Sequence, residues 1–189
     1  RIGFIGLGRM GAAMVKRMCE TGTPPVIWNR DASKAAPLQA LGCTVAKTPQ
    51  DVAAASDCVM ACVHDARAVE DVLFGPQGVS QGAVRGSVFV DMSTIGPVAT
   101  RDLAPRLSEA CGMSWVDAPV SGGVPGAQRG KLIVMAGGAA DDVKRVEPAL
   151  GRFAERITHV GEVEAGQAIK ASNQLIVGGY VAIVAEALS

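Results

Sequence analysis

A lysine flanked by amides on an otherwise apolar stretch is the arrangement in this sequence best suited to moving a proton. Gln167, Lys170, Asn173 and Gln174 recur at i, i+3 and i+4, which on a helix makes one narrow polar stripe. Ala168, Ile169, Ala171, Leu175, Ile176 and Val177 cover the other faces. Two readings stand at this point. The lysine is a solvated surface charge, the ordinary fate of a helical Lys, or it lines a cleft where an ammonium can donate to a reacting oxygen.

A second group of residues points to phosphate. Gly6, Gly8 and Gly11, with Leu7, Arg9 and Met10 between them, form GxGxxG directly after an apolar run and at the mouth of a helical one. In that context the first glycine permits a tight turn, the second lets backbone approach a pyrophosphate, and the third lets helix and strand pack closely. The helix start adds unpaired N–H groups and the positive end of its dipole. About 20 residues on, where NAD-binding versions carry a carboxylate for the ribose hydroxyls, the chain reads Asn29, Arg30, Asp31. An arginine can pair with a 2′-phosphate, so NADP is favoured over NAD, which stays possible. Arg30 also fits a plain surface charge, and Asp31 reads as the cap of the next helix.

Groups so far apart in sequence meet only if the fold gathers them at one edge. Short runs rich in β-branched residues, Ile2 to Gly6, Pro25 to Trp28, Cys43 to Val45, Cys58 to Val63, Val88 to Asp91 and Met113 to Asp117, alternate with helical patterns at Arg9 to Glu20, Ser33 to Leu41, Ala66 to Leu73 and Pro97 to Ala110. This alternation predicts an α/β fold with a parallel sheet built from βαβ units. Cys58 to Val63 has no polar residue and reads as a central strand covered on both faces. Met10, Met14 and Met18 read as core packing rather than a cofactor stripe. After a loop from Ala118 to Gly130 come a strand at Leu132 to Ala136, a helix at Asp141 to Leu150 and a last strand near Ile157 to Val160. A long helix follows from about Glu162. The boundary falls near Gly161, giving a cofactor domain over 1–161 and the start of a further helical region over 162–189.

Composition narrows the function. The chain has 189 residues, 49% of them hydrophobic, with 18 basic and 18 acidic side chains and no net charge. No basic stripe is available for nucleic acid or an anionic membrane. Five cysteines, an odd number without a CxxC pair, fit a reducing compartment, the cytoplasm. His64 and His159 are the only histidines, and no metal-ligand spacing occurs. No unbroken apolar run reaches the roughly 18 to 20 residues that span a bilayer, and Leu175 to Leu188 reads as a buried soluble helix.

Four segments together carry a family resemblance. FIGLGRMG (Phe4 to Gly11), VDMSTIGP (Val90 to Pro97), DAPVSGG (Asp117 to Gly123) with GAQRGKLIVMAGG (Gly126 to Gly138), and GQAIKASNQ (Gly166 to Gln174) occur in the order found in the β-hydroxyacid dehydrogenases. The sequence resembles that family over its whole length. The resemblance implies a Rossmann-type doubly wound parallel sheet, followed by the start of a long interdomain helix leading into an all-α domain absent from this chain. It implies substrate binding at Ser121, Gly122, Gly123 and Gln174, catalysis by Lys170 with Asn173, and cofactor contacts at Val63, His64 and Thr94 besides the glycine turn, Asn29 and Arg30. Gln174 stands where many members have a second Asn.

The implied reaction is hydride transfer between NADP(H), or NAD(H), and a small 3-hydroxy acid or short semialdehyde, such as 3-hydroxyisobutyrate, tartronate semialdehyde, glyoxylate or succinic semialdehyde. The implied partners are that small molecule and further copies of the chain, joined through the missing C-terminal domain. Imine reductases share the cofactor domain but usually have Asp or Tyr where Lys170 stands. A non-enzymatic cofactor-binding scaffold is the other alternative.

Overall fold

The computed structural model describes all 189 residues. Strands β1 (Ile2–Ile5), β2 (Val26–Trp28), β3 (Thr44–Val45), β4 (Cys58–Ala61), β5 (Val88–Asp91), β6 (Ser114–Asp117), β7 (Val120–Ser121), β8 (Leu132–Gly137) and β9 (Ala154–Gly161) form one sheet. The helices are α1 (Arg9–Glu20), α2 (Ala36–Gln39), α3 (Pro49–Ala54), α4 (Ala66–Phe74), α5 (Val79–Gly82), α6 (Pro97–Cys111), α7 (Gly123–Arg129), α8 (Ala140–Leu150) and α9 (Ala165–Ala187).

The strand order β3-β2-β1-β4-β5-β6-β8-β7, with β9 beside β8, is the doubly wound arrangement, and β4 is central as its composition predicts. Alternate residues of each strand feed opposite layers. Phe4, Met60, Val88, Val90 and Val116 pack under α1 and α8, while Ile5, Val59, Ala61, Phe89 and Trp115 pack under α3 to α6. Met14 and Met18 lie in the first of these cores.

The sheet is not parallel throughout. β1 to β6 pair in parallel, but β8 runs antiparallel to both β6 and β7. β6 meets β8 only at Asp117↔Gly137, so this second part of the sheet extends past the carboxyl end of β6. The segment Ala118 to Gly130, expected as a loop, carries β7 and α7. The expected helix Ser33 to Leu41 is a capped 3-10 turn, Ala32–Lys34, followed by the one-turn α2 with Pro37 in it. Helix α3 was not anticipated, although Thr48 accepts from Asp51 N and Pro49 opens it, a readable start signal.

At the tail two expectations part, a buried helix over Leu175 to Leu188 and a long helix leading out of the cofactor domain. Gly166, Gln167 and Lys170 of α9 are buried, but Leu175, Ile176, Tyr180, Val181, Ile183 and Leu188 are exposed. Leu175 to Leu188 is therefore not a buried helix in this chain. At 1.5 Å per residue α9 runs for about 34 Å, packed against β6, β8, β9 and α6 along part of its length, with Leu175 and the large apolar residues beyond it exposed. By length and composition it is also long enough and apolar enough to cross a membrane. The sequence criterion missed this because Lys170, Asn173 and Gln174 interrupt the apolar run.

Candidate functional site

The strand order reverses between β1 and β4, and in such sheets ligands bind outside the carboxyl ends of the strands at that point. The turn from β1 into α1 lies there. Gly6 has φ 95°, and its N–H donates to the Trp28 carbonyl at 3.0 Å. A Cβ on Gly6 would strike the Cys62 carbonyl oxygen, and one on Gly11 the Gly6 carbonyl oxygen, whereas Gly8 faces open space with nothing within 4 Å. The fold itself therefore requires two of the three glycines. The third, which caps α1 without any side-chain hydrogen bond, leaves a bare backbone cradle at the helix start. Arg9 is exposed beside it, and Met10 packs against the core.

The end of β2 is tied to this turn. Asn29 Oδ1 accepts from Leu7 N at 2.8 Å, and its amide donates to the Asp31 carbonyl at 2.9 Å. Asp31 in turn accepts from Ser33 N and Ser33 Oγ, the capping role expected of it. Arg30, between them, is exposed and makes no ion pair. Val63 follows β4 and donates its N–H to Ser93 Oγ at 3.0 Å, while His64 and Thr94 are exposed beyond β4 and β5.

Beyond β6, Ser121 closes β7 and leads into Gly122 at φ 122° and Gly123 at φ 61°. Both glycines are exposed and both occupy conformations that L side chains avoid. This stretch bends the chain into α7 with its backbone bare.

Helix α9 starts against the ends of β5, β6 and β8. Asp117, fully buried, accepts from Glu164 N and Gln167 N, each at 2.8 Å, and so satisfies helix-start donors that no local side chain caps. The approach is close: a Cβ on Gly137 would come within 2.8 Å of Gly166 N, and one on Gly166 within 2.8 Å of Asp117 Oδ2. Arg101 grips the Glu164 carboxylate with two hydrogen bonds. Gln167, 1% exposed, donates to the Ser93 carbonyl at 2.7 Å and accepts from Ile95 N and Gly96 N at 3.2 and 3.1 Å.

One turn further along, Lys170 is 9% exposed and has no ion-pair partner. Burial holds its ammonium below the usual lysine range. Of the two readings of the stripe, the solvated face is therefore wrong for Lys170, while Asn173 is half-buried and Gln174 exposed. Sequence reasoning assigned no role to Asp91, Ser93 or Asp117, and it placed Gln167 in the polar stripe without a partner. The signal available was a carboxylate at the end of each of two neighbouring strands, where a free strand end meets a helix start.

The comparisons with known proteins agree with this geometry. Residues 1–161 match the family of the NAD binding domain of 6-phosphogluconate dehydrogenase. The whole chain is 38% identical to 2-(hydroxymethyl)glutarate dehydrogenase of Eubacterium barkeri, covering 62% of its length, and 38% identical to 2-hydroxy-3-oxopropionate reductase of Escherichia coli, covering 64%. The chain thus spans less than two thirds of these curated relatives. Mycobacterium tuberculosis 3-hydroxyisobutyrate dehydrogenase, solved with L-serine, superposes with a TM-score of 0.91 at 31% identity, over 98% of this chain and 62% of that one. An imine reductase from Myxococcus stipitatus in complex with NADP+ reaches the same TM-score at 24% identity, over 100% of this chain and 64% of that one, a likeness of fold alone.

Proposed function

Since the chain belongs to the family of the NAD binding domain of 6-phosphogluconate dehydrogenase, we propose that it forms the cofactor-binding part of a dehydrogenase. The enzyme would interconvert a small 3-hydroxy acid and its aldehyde, or reduce a short semialdehyde, with a preference for NADP. The observation that carries this reading is a buried, unpaired lysine at the carboxyl edge of a sheet whose first turn keeps an open glycine cradle.

The residues present fit a dinucleotide. Gly8 and the N–H groups that open α1 would hold the pyrophosphate, Arg30 the 2′-phosphate, and Val63, His64 and Thr94 would border the nicotinamide. When bound, the nicotinamide donates or accepts the hydride.

Lys170 moves the proton. In reduction its ammonium donates from Nζ to the carbonyl oxygen, and in oxidation the neutral amine takes the hydroxyl proton. The downward pull of burial on its pKa serves the second role. Asn173, one turn on, would orient Nζ or the reacting oxygen, with Gln174 nearby for substrate. Ser121 and the N–H groups of Gly122 and Gly123 would hold the substrate carboxylate, because bare backbone in positive-φ conformations presents donors without side-chain obstruction. The exposed apolar length of α9 supports further helices and association of copies through them, and an odd number of cysteines without a CxxC pair is what points to the cytoplasm.

Replacing Lys170 by Ala in the protein that carries this chain tests the reading. Turnover of glyoxylate, succinic semialdehyde, tartronate semialdehyde and 3-hydroxyisobutyrate should fall by about 1,000-fold or more, while NADPH binding, read by fluorescence, persists. Near-normal turnover in the variant would refute the role of Lys170. Failure of all four substrates in the unaltered protein would move the assignment toward imine reduction or a non-catalytic scaffold.

A further inference from the structure

We propose that Gln167 is a positioning residue: its side chain clamps the loop that follows β5 to the helix turn that carries Lys170, fixing proton donor and cofactor-facing loop in one register. The proposal rests on the reading of Lys170 given above and adds a residue to it.

Gln167 uses its whole side chain in this contact. Nε2 donates to the Ser93 carbonyl, and Oε1 accepts from the N–H groups of Ile95 and Gly96. Thr94, the loop residue expected beside the nicotinamide, is therefore held on both sides, through the carbonyl before it and the N–H after it. Oε1 also serves donors just ahead of α6, whose N-terminus has no side-chain cap and begins with Pro97. On the other side, Gln167 N is fixed by Asp117, so the residue cannot follow the loop without disturbing the helix. Lys170 lies three positions on, on the same face, and a rigid first turn transmits the position of Gln167 to it.

A tether serving stability alone has no need to join the two segments that bear the reacting groups. This one grips the neighbours of Thr94 and lies one turn from Lys170. Gln is suited to the place because it offers an acceptor and a donor at the end of one planar group. Glu keeps the acceptor and loses the donor, and Ala loses both.

The test compares Gln167→Ala and Gln167→Glu with the unaltered protein and with Lys170→Ala. The proposal expects Gln167→Ala to lower kcat between about 10- and 100-fold, to leave NADPH affinity within about threefold, and to displace the pH profile of kcat. Gln167→Glu should fall between it and the unaltered protein. Independently of turnover, the pH dependence of acetylation at Lys170, followed by mass spectrometry on the protein that carries this chain, should shift in Gln167→Ala. A folded variant with unchanged kcat and an unchanged Lys170 profile overturns the proposal, even if its Tm is lower. If Gln167→Ala does not fold, Gln167→Glu decides by the same two measurements: a lowered kcat with a shifted Lys170 profile supports the clamp, and no change in either overturns it. If Lys170→Ala keeps turnover while the acetylation profile still shifts in Gln167→Ala, the clamp stands and only the catalytic role of Lys170 falls.

Discussion

Asp91 and Asp117 are register partners at the carboxyl ends of β5 and β6, and their carboxylates are served unequally. Asp117 receives N–H donors from Glu164 and Gln167. Asp91 receives Ser93 N at 2.9 Å on one oxygen, and its other oxygen is buried with no partner. Burial pushes the Asp91 carboxyl up to about 7, with the neighbouring Asp117 adding in the same direction. Burial raises Asp117 as well, and its N–H donors oppose the rise.

This asymmetry has a pH signature. The folded state keeps a proton on Asp91 that the unfolded chain releases near its ordinary value of 3.8. Stability from this group is thus fully present below about pH 4 and is lost as pH rises toward 7. Asp91→Asn keeps an acceptor for Ser93 N and cannot titrate. Urea unfolding at pH 4 and pH 8 should show the variant gaining on the order of 3 kcal/mol relative to the unaltered chain across that interval. Parallel profiles would mean that Asp91 is ionised in the folded protein.

The three turn glycines should separate fold from binding. A methyl group at Gly11 collides with the Gly6 carbonyl, while one at Gly8 meets only open space. Gly11→Ala should cost roughly 2–4 kcal/mol of stability, since backbone has to move. Gly8→Ala should leave the unfolding midpoint nearly unchanged and weaken NADPH binding by about tenfold or more. A Gly8→Ala chain that binds normally would remove the pyrophosphate from this turn.

How much of this was legible in the sequence depends on the range of the forces involved. Alternating β-branched runs report local burial, so β1, β4, β5 and β6 could be placed to within a residue or two. The turn at Gly6 to Gly11 is a local backbone requirement, equally readable. Tertiary partners are not local. Asp117 serves amides 47 and 50 positions away, and Gln167 reaches 71 to 74 positions back. Nothing near either residue announces that. Helix α7 was missed because its seven residues, GVPGAQR, contain two glycines and a proline, and its packing against α1 and β8 decides its form. The exposure of α9 follows from what lies beside it in space, and amphipathic periodicity cannot report that.

The cysteines offer a check on the core under α1 and α8. Burial pushes the thiols of Cys43, Cys58 and Cys62 up to about 12, so almost no thiolate exists at neutral pH. Brief iodoacetamide treatment of the folded chain at pH 8 should leave all three unmodified by peptide mass analysis, with complete labelling after denaturation. Labelling of Cys58 or Cys62, both half-buried, in the folded chain would show that these thiols are not held above the ordinary cysteine range.

The proposed preference for NADP rests on the end of β2. Asn29 spends its amide on Leu7 N and the Asp31 carbonyl, and Asp31 holds Ser33 N and Ser33 Oγ on Oδ1, as a helix cap. The strand end therefore offers an amide where a ribose-binding carboxylate would stand, whereas Arg30 beside it is exposed and makes no ion pair. A charge-assisted pair with a 2′-phosphate contributes about 1.5–3 kcal/mol. Arg30→Ala should therefore weaken NADPH binding about 10- to 100-fold and NADH binding by less than about twofold, measured side by side by fluorescence titration on the same preparation. Equal losses for the two cofactors would show that Arg30 steers both only by its charge, and would return the preference to NAD.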